Sequence, residues 1–276
     1  MSALYAKTID QLSASVPEAE NEYLGEDGYL HCTVCHARTE TRIVVEALGI
    51  DRKVRCICEC KTKEIEAEEE RKRQQEHERK RRTCFAETNM ADWTFANDDR
   101  KNKKLSDAMC NYAKKFHEFR NIGKGLLLYG NVGTGKTYYA ACIANALIDR
   151  GYSVLMTNFA RLTNIIQGMY QGKQEYIDSL NDYDLLVIDD LGTERSSEFM
   201  QEMVFNIIDS RYRSGLPFII TTNLTADELK KPEERAYKRI YDRILERCFP
   251  VEITGSSRRR TALKETHADV KAMLGL

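Results

Sequence analysis

Eight residues near the middle of the chain constrain its fold more than any other feature. They read Gly130-Asn131-Val132-Gly133-Thr134-Gly135-Lys136-Thr137, after the apolar run 126–129 and before a stretch with helical spacing. Glycines at this spacing let the backbone curve so that its N–H groups point at phosphate oxygens, where the start of a helix adds positive charge. The Lys136 ammonium reaches the β- and γ-phosphates, and the Thr137 hydroxyl is available to Mg²⁺. We therefore predict that residues 130–137 bind ATP or GTP.

Composition sets the limits within which this site must fit. The 276 residues are 42% hydrophobic, enough for one large core and a smaller appended unit. The 42 basic and 43 acidic residues nearly cancel, so any contact with nucleic acid must come from local clusters. Because we find no signal peptide and no apolar run of bilayer length, we expect a soluble, cytoplasmic protein. In that compartment the nine cysteines are not expected to form disulfides.

Apolar strand patterns and helical patterns alternate from residue 125 onward. The predicted strands lie near 125–129, 153–157, 184–189, 217–222 and 249–253, and the predicted helices near 136–150, 158–170, 197–214 and 226–247. Such alternation indicates an α/β fold, a five-stranded parallel sheet covered on both faces, with ligands at the carboxyl ends of its strands.

The strand that ends in two acids predicts the second half of the nucleotide site. It reads Asp184-Leu185-Leu186-Val187-Ile188-Asp189-Asp190. We expect this strand to lie next to the first one, where Asp189 would approach the Thr137 hydroxyl and hold Mg²⁺. Asp190 would orient or deprotonate the water that attacks the γ-phosphate. The alternative is a buried strand whose acids only cap the next helix.

Further polar residues follow at the ends of later elements. If the strand at 217–222 lies between the two strands above, Asn223 would hydrogen-bond the γ-phosphate or the attacking water. A helix rich in arginine covers 239–247, and three consecutive arginines occupy 258–260. Taken singly, these arginines would be solvated surface residues.

This order of motifs resembles that of AAA+ P-loop NTPases. Within that group Ile188-Asp189-Asp190-Leu191-Gly192, Thr221-Thr222-Asn223-Leu224 and Tyr241-Asp242-Arg243 are similar to the phage and Gram-positive helicase loaders of the DnaC type, related to IstB-type ATPases. The resemblance covers about 94–264. It implies that Lys136 and Thr137 are Walker A residues, that Asp189 and Asp190 form the Walker B pair, that Asn223 is the first sensor, that Arg243 is an arginine finger and that Arg259 is the second sensor.

Departures from the family pattern shape the expected activity. Many AAA+ enzymes have Glu where this chain has Asp190, and the shorter side chain implies slow, switch-like ATP hydrolysis. Arg258 competes with Arg259 for the sensor role, and the segment after Gly255 allows only a short lid. Since Arg243 would face a neighbouring subunit, a complete site implies self-association through the ATP site.

A cysteine cluster precedes the ATPase pattern. Cys32 and Cys35 lie on one side of a segment that could form a hairpin or a helix, and Cys56, Cys58 and Cys60 lie on the other. Five cysteines compete for the four places around a structural zinc ion, with His31 or His36 as less favoured ligands. An iron–sulfur cluster or redox thiols are the alternatives. The resemblance favours Cys32, Cys35, Cys58 and Cys60, because similar proteins carry Cys-x-Cys directly before a charged helix.

These patterns divide the chain into three predicted parts. Residues 1–60 form a small zinc-binding, partner-binding module, 61–92 a charged helical linker, and 93–276 the ATPase domain with a short lid. The charged helix is either a spacer or an arm that touches nucleic acid through its basic block at 79–82.

The resemblance implies a function in DNA replication. We expect an ATP- and Mg²⁺-dependent loader or remodeller of the replicative hexameric DNA helicase that binds single-stranded DNA during initiation. Arg161, Tyr170 and Lys173, in and just after 158–170, are candidates for that DNA contact, and ordinary packing of this helix is the equal alternative. The alternative within the class is the accessory ATPase of a transposon, for which the cysteine module would have no need. A small-molecule kinase and a DNA-binding adaptor with a vestigial nucleotide pocket are further alternatives.

Overall fold

The computed structural model of the chain divides into two compact units, Met1–Glu76 and His77–Leu276. It describes residues 8, 11, 22–85, 89–192, 198–232, 235–257, 270, 271, 273 and 274. Arg258, Arg259 and Arg260 lie outside the described residues. No helix among the described residues combines the length and the apolar character that crossing a membrane requires.

The described part of the first unit contains two small antiparallel hairpins. Strand β1 (Glu22–Leu24) pairs with β2 (Leu30–Cys32), and β3 (Glu40–Val45) pairs with β4 (Ile50–Arg55). A short 3-10 turn at Glu46–Leu48 and Gly49, with φ of 62°, close the second hairpin. The segment between the two groups of cysteines is therefore a hairpin and not a helix.

The charged segment forms one long helix, α1 (Glu59–Phe85). Its exposed surface carries ion pairs at helical spacing, for example Arg82 with Glu78 at 2.7 Å. At its carboxyl end Cys84 and Phe85 are buried. The basic block is also engaged there, because Lys80 donates to the carbonyl oxygen of Gly151 at 2.8 Å. These contacts within the second unit use part of the block that the sequence offered for nucleic acid.

The second unit is built on a five-stranded parallel sheet, which confirms the predicted fold class. Its strands run in the order β6 (Val154–Asn158), β7 (Leu185–Leu191), β8 (Phe218–Thr222), β5 (Gly125–Tyr129) and β9 (Cys248–Glu252). The helices of this unit after α1 are α2 (Lys103–Lys114), α3 (Phe116–Asn121), α4 (Lys136–Asp149), α5 (Phe159–Gly168), α6 (Lys173–Ser179), α7 (Glu198–Ser214), α8 (Ala226–Lys230) and α9 (Arg235–Arg247).

The acidic strand does not lie next to the first strand, and that expectation is wrong. β8 lies between β7 and β5 and pairs in parallel with both. The carboxyl ends of all three strands nevertheless meet at one edge of the sheet, so that Asp189 at the end of β7 can still reach the helix that follows β5. The order also places Asn223, directly after β8, between the two halves of the predicted site.

Two predicted helices differ from the structure: one ends earlier than predicted and the other is divided in two. The segment 158–170 ends as a helix at Gly168, because Met169 is extended with φ of −86° and ψ of 126°. The segment 226–247 contains α8 and α9, and α8 ends at Lys230, two residues before Pro232. Proline disfavours a helical conformation in the residue before it, which explains the break.

Two layers of apolar side chains cover the sheet. α2 and α4 pack on one face through residues such as Met109 and Ile143, and α5, α7 and α9 pack on the other through residues such as Leu162 and Ile207. A fully buried arginine, Arg211, lies on the second side. Its guanidinium donates to the carbonyl oxygens of Pro217, Leu180, Tyr183 and Asp184 at 2.8–3.3 Å. Burial lowers the pKa of Arg211 to about 10, a value that leaves it protonated at neutral pH.

Candidate nucleotide site and cysteine cluster

The glycine-rich segment forms the turn between β5 and α4. Gly130 has a φ of 139°, and a Cβ atom there would lie 2.5 Å from the carbonyl oxygen of Ile253, so only glycine fits. Lys136 opens α4 and is buried, and its ammonium donates to the carbonyl oxygens of Gly130 and Asn131 at 2.9 and 2.8 Å. The loop therefore presents a buried cation at the start of a helix, the arrangement that binds phosphate.

Asp189 lies opposite the start of α4. Its Oδ2 accepts a hydrogen bond from the Thr137 hydroxyl at 3.2 Å, and its Oδ1 accepts one from the Thr221 hydroxyl at 2.6 Å. Hydroxyl and carboxylate oxygens are the ligands that Mg²⁺ prefers, so Thr137 and Asp189 fit the ion. Thr221 is buried in β8 and orients the carboxylate. No role for Thr221 was predicted from the sequence, although a hydroxyl at the end of a central strand is a usable signal.

Asp190 adopts a backbone conformation that is rare for residues other than glycine. Its φ is 64°, and its N–H donates to the Thr221 hydroxyl oxygen at 2.9 Å. Left-handed conformations of such residues cost free energy and concentrate at functional sites. The carboxylate of Asp190 is thereby directed away from the line of the strand and into the cavity.

The Asn223 amide joins the two halves of the site. Its Oδ1 accepts from the Lys136 ammonium at 2.7 Å, and its Nδ2 donates to Asp190 Oδ1 at 2.8 Å. A single side chain therefore contacts both Lys136 and Asp190.

These groups surround a cavity of about 450 Å³. Its lining residues are Trp93, Val132, Gly133, Gly135, Lys136, Thr137, Tyr138, Asp189, Asp190, Thr221 and Asn223. Trp93 and Tyr138 were not predicted from the sequence to lie at this site. The rings of Trp93 and Tyr138 have centroids 5.8 Å apart, and the Tyr138 hydroxyl donates to the carbonyl oxygen of Thr94 at 3.0 Å. The only tryptophan of the chain thus lies beside a phosphate loop, and flat apolar surfaces of this kind suit a nucleotide base.

The structure describes one of the two arginines that were predicted to act at this site. Arg243 on α9 is not among the residues that line the cavity, and it pairs with Asp209 of α7 at 2.7 Å. Arg259, the predicted second sensor, lies outside the described residues, as does its competitor Arg258.

Four cysteines converge in the first unit. The sulfur atoms of Cys32, Cys35, Cys58 and Cys60 all lie within 4.8 Å of one another. A tetrahedral zinc ion with Zn–S bonds of about 2.3 Å places its sulfurs about 3.8 Å apart, so the set fits zinc. In an extended strand the side chains of Cys58 and Cys60 would point to opposite sides. They do not, because α1 starts at Glu59 and the helical turn brings their sulfurs to 3.1 Å.

The other candidate ligands have different partners. Cys56 points its thiol at the carbonyl oxygen of Arg38, at 3.5 Å. Both ring nitrogens of His31 are engaged, one with Asp27 and one with the carbonyl oxygen of His36, each at 3.0 Å. Backbone N–H groups of Cys35 and Val34 lower the pKa of the Cys32 thiol to about 6. A thiolate at neutral pH is the form that binds metal.

Comparisons with known proteins agree with this geometry. The chain is 32% identical over 162 residues to the replicative helicase loader DnaI of Bacillus subtilis (strain 168), which covers 54% of this chain and 51% of DnaI. It is 30% identical over 118 residues to the replicative helicase loader DnaC of Escherichia coli (strain K12), covering 41% and 48%. An insertion sequence ATP-binding protein of Sinorhizobium fredii (strain NBRC 101917 / NGR234) is 30% identical over 150 residues, covering 52% and 49%. The chain thus spans about half the length of the curated relatives it matches.

A solved structure and a family model extend these matches. The crystal structure of DnaI aligns with a TM-score of 0.51 and 28% identity over 61% of this chain and 92% of that chain. The resemblance to DnaC-type loaders and IstB-type ATPases, and the AAA+ P-loop fold, are confirmed. The model of the IstB-like ATP binding protein family matches residues 59–266, well over half of the chain. The chain therefore belongs to the IstB-like ATP-binding protein family.

Proposed function

We propose that this chain is an ATP-dependent loader or remodeller of a replicative hexameric DNA helicase and that it binds single-stranded DNA during initiation. The match to the DnaI loader, in sequence and in fold, carries the proposal. The described site supports it with a nucleotide cavity whose polar groups are connected by hydrogen bonds. The cysteine module supports it with a separate unit available to a protein partner.

The chain's own residues divide the work of ATP hydrolysis among them. Lys136 offsets the negative charge of the β- and γ-phosphates, and the N–H groups of the loop donate to their oxygens. Mg²⁺, held by Thr137 and Asp189, would neutralise charge that develops on the phosphates. Asp190 accepts a hydrogen bond from the attacking water and orients it. Asn223 contacts both Lys136 and Asp190, so it is placed to couple loss of the terminal phosphate to the position of the acid.

Turnover should be slow. Asp190 has one methylene less than the glutamate that many AAA+ enzymes carry, and its carboxylate is shared with the Asn223 amide at 2.8 Å. A less well-held water lowers the rate without affecting ATP binding. Slow hydrolysis suits a switch in which ATP permits assembly and its loss permits release.

Assembly would complete the site. Arg243 is the proposed arginine finger, acting on ATP bound by a neighbouring copy, with Arg259 as the second sensor. Arg243→Ala should reduce ATP turnover at least tenfold while ATP affinity changes less than twofold, because a residue supplied in trans acts mainly in the transition state. Equal losses in turnover and affinity would show that Arg243 acts within its own subunit.

The cysteine module is proposed to hold one structural zinc ion and to contact the helicase. Four of its basic side chains are paired within the module: Arg38 with Asp27, Arg42 with Asp51, Lys53 with Glu40 and Arg55 with Glu22. Paired charges attract nucleic acid weakly, so a protein is the better partner for this surface.

Single-stranded DNA is proposed to bind the second unit near α5 and α6. Tyr170, in the loop between these helices, is 96% exposed. Arg161 and Lys173 are also exposed on the flanking helices. An exposed aromatic ring and exposed cations on one part of a surface are the groups that bind bases by stacking and phosphates by charge.

A binding experiment with the helicase tests the proposal. The full-length chain is mixed with the replicative hexameric helicase of the same organism, and complex mass is measured by native mass spectrometry with ATP and without nucleotide. We expect a defined complex whose stoichiometry changes with nucleotide. Absence of a complex under both conditions would exclude the helicase as partner.

Transposition is the second candidate, because the insertion sequence ATP-binding protein matches a similar share of the chain. An accessory ATPase of transposition would bind double-stranded DNA and a transposase and would ignore the helicase. The same mass measurement, repeated with duplex DNA, distinguishes the two functions. ATP-dependent coating of the duplex in a preparation that shows no helicase complex would favour transposition.

A further inference from the structure

Three residues of α7, Asp209, Phe205 and Tyr212, contact the Arg243 side chain, and the centre of the Tyr212 ring lies 5.6 Å from the guanidinium carbon. The guanidinium Nε donates to Asp209 Oδ1 at 2.7 Å, and the guanidinium carbon lies 4.8 Å from the centre of the Phe205 ring. Nη1 donates to the carbonyl oxygen of Arg239, one turn earlier on α9, at 3.2 Å. A carboxylate, a ring face and a carbonyl fix both the plane and the rotation of the group.

Asp209 is well placed to keep this geometry. Its side chain is only 14% exposed, and its second oxygen accepts from Arg213 of the same helix at 2.8 Å. One carboxylate shared by two guanidinium groups leaves the cluster with a net positive charge. The cluster therefore still attracts an anion although Arg243 is already paired.

The nitrogen that remains distinguishes Arg243 from the structural arginine of the same unit. All three guanidinium nitrogens of Arg211 donate to backbone carbonyls in the interior. Nη2 of Arg243 has no hydrogen-bond partner among the residues that the structure describes, and its side chain is 28% exposed. Arg211 is satisfied by its own chain, whereas Arg243 is oriented and left with a donor to spare.

We propose that Asp209 and Phe205 are positioning residues that orient Arg243 toward an anionic group held by a second copy of this chain, the terminal phosphate of its ATP. The inference rests on the proposed role of Arg243 in trans. A side chain that is fixed by its neighbours loses less conformational entropy when it contacts the phosphate. The activation free energy is therefore lower and ATP turnover is faster.

Subunit mixing with the full-length chain tests the inference. Asp209→Asn and Phe205→Leu should each lower ATP turnover roughly tenfold at saturating MgATP, with ATP affinity within about twofold of the wild type. A Lys136→Ala chain cannot use ATP itself but keeps Arg243 and both positioning residues. An excess of the Lys136→Ala chain is mixed with the Asp209→Asn chain, and turnover is expressed per Asp209→Asn subunit. This turnover should come within about twofold of that measured per wild-type subunit when wild-type protein is mixed with the same excess. Recovery also proves that the impaired subunit is folded, because its own ATP site performs the reaction.

Two controls make the mixture specific. A Lys136→Ala chain that also carries Asp209→Asn should restore nothing, since the arginine it supplies is no longer held. Asp107→Asn removes a carboxylate that pairs with an arginine elsewhere on the unit, Arg100, and should leave turnover unchanged.

The outcomes separate this inference from the function on which it rests. If Arg243→Ala recovers in the mixture but Asp209→Asn does not, or if Asp209→Asn is no slower than Asp107→Asn, the positioning role is overturned and the trans role stands. If Arg243→Ala itself does not recover, the trans role fails and the inference fails with it. Should Asp209→Asn not bind ATP, Phe205→Leu decides by the same criteria.

Discussion

The two units of this protein are stabilised by different means. In the described part of the first unit, the only buried apolar side chains are Cys32, Ile50 and Cys58, and two of these belong to the cysteine cluster. The second unit buries two apolar layers on either side of a five-stranded sheet. A unit as small as the first cannot be held by apolar burial alone, whereas the second can. Removal of one chemical group should therefore unfold the first unit and only weaken the second.

The units also use their charges differently. Four basic side chains of the first unit pair with acids of the same unit, and Tyr29 lies between Arg38 and Lys53, 4.5 and 4.7 Å from its ring centre. In the second unit, Lys136, Asp189 and Asp190 line one cavity, and Arg161 and Lys173 are exposed. These charged side chains of the first unit therefore pair with one another, whereas those of the second unit line the cavity or are exposed.

The largest effect should follow loss of the zinc ion that is proposed for the first unit. Structural zinc contributes about 10–16 kcal/mol of apparent binding free energy in small modules, so Cys58→Ser should unfold residues 22–58. Amide hydrogen exchange should then report lost protection there and unchanged protection in β5 and β7. Cys56→Ser is the matched control and should keep one zinc ion per chain by metal analysis. Zinc retained by Cys58→Ser, or lost equally by both variants, would contradict the assignment.

The second unit should lose stability, but not its fold, when its buried arginine is removed. Arg211→Met leaves several buried carbonyls without donors and should lower the free energy of unfolding by about 3–5 kcal/mol. Chemical denaturation, followed through the unfolding transition of the second unit, measures the change in free energy. Arg213→Met, two residues away with a side chain that is 71% exposed, should cost less than about 0.5 kcal/mol. Similar losses of stability for both variants would show that the hydrogen bonds of Arg211 to buried carbonyl oxygens do not stabilise the second unit.

The contrast in charge predicts which unit binds DNA. Tyr170→Ala should weaken binding of a labelled oligothymidine by about 1–3 kcal/mol, roughly 5- to 150-fold, because a stacked base loses its ring. Arg42→Gln in the first unit should change that affinity less than about twofold, since Arg42 is paired with Asp51. Fluorescence anisotropy measures both. The reverse ranking would move the DNA site to the cysteine module.

The smallest effect should come from a residue that acts through Asp189. Thr221→Val removes a hydroxyl that contacts Asp189 at 2.6 Å. The variant should therefore need a Mg²⁺ concentration roughly 2- to 12-fold higher for half-maximal ATP turnover, which corresponds to about 0.5–1.5 kcal/mol. Thr163→Val removes an equally buried hydroxyl that bonds only to its own helix, and it should leave the Mg²⁺ dependence unchanged. Identical Mg²⁺ titrations for the two variants would rule out the positioning role of Thr221.

Much of the second unit was predictable because its signals are local. The phosphate loop is contiguous, and each strand of the sheet was found within two residues of its observed ends, since an apolar run marks a buried strand wherever it packs. The order of the strands was not predictable in the same way. The sequence of residues 184–190 does not predict that β8 lies between this strand and β5, because strand order depends on pairing between distant segments.

The cysteine cluster shows the same limit on a smaller scale. Spacing alone could not choose four ligands from five cysteines, and the rule for extended strands put Cys58 and Cys60 on opposite sides. The start of α1 at Glu59 decided otherwise by turning the backbone between them.

By itself, the sequence determined the chemistry of this protein: a lysine and a threonine at the start of a helix, two acids after an apolar strand, and thiols in excess of four. Tertiary structure decided which of these groups meet. Lys136 and Asn223 are 87 positions apart yet lie 2.7 Å from each other, and Asp209 reaches Arg243 across two helices. Residue type fixes which proton or charge a group carries, but only packing of the whole sheet and its helices fixes the distances over which these groups act.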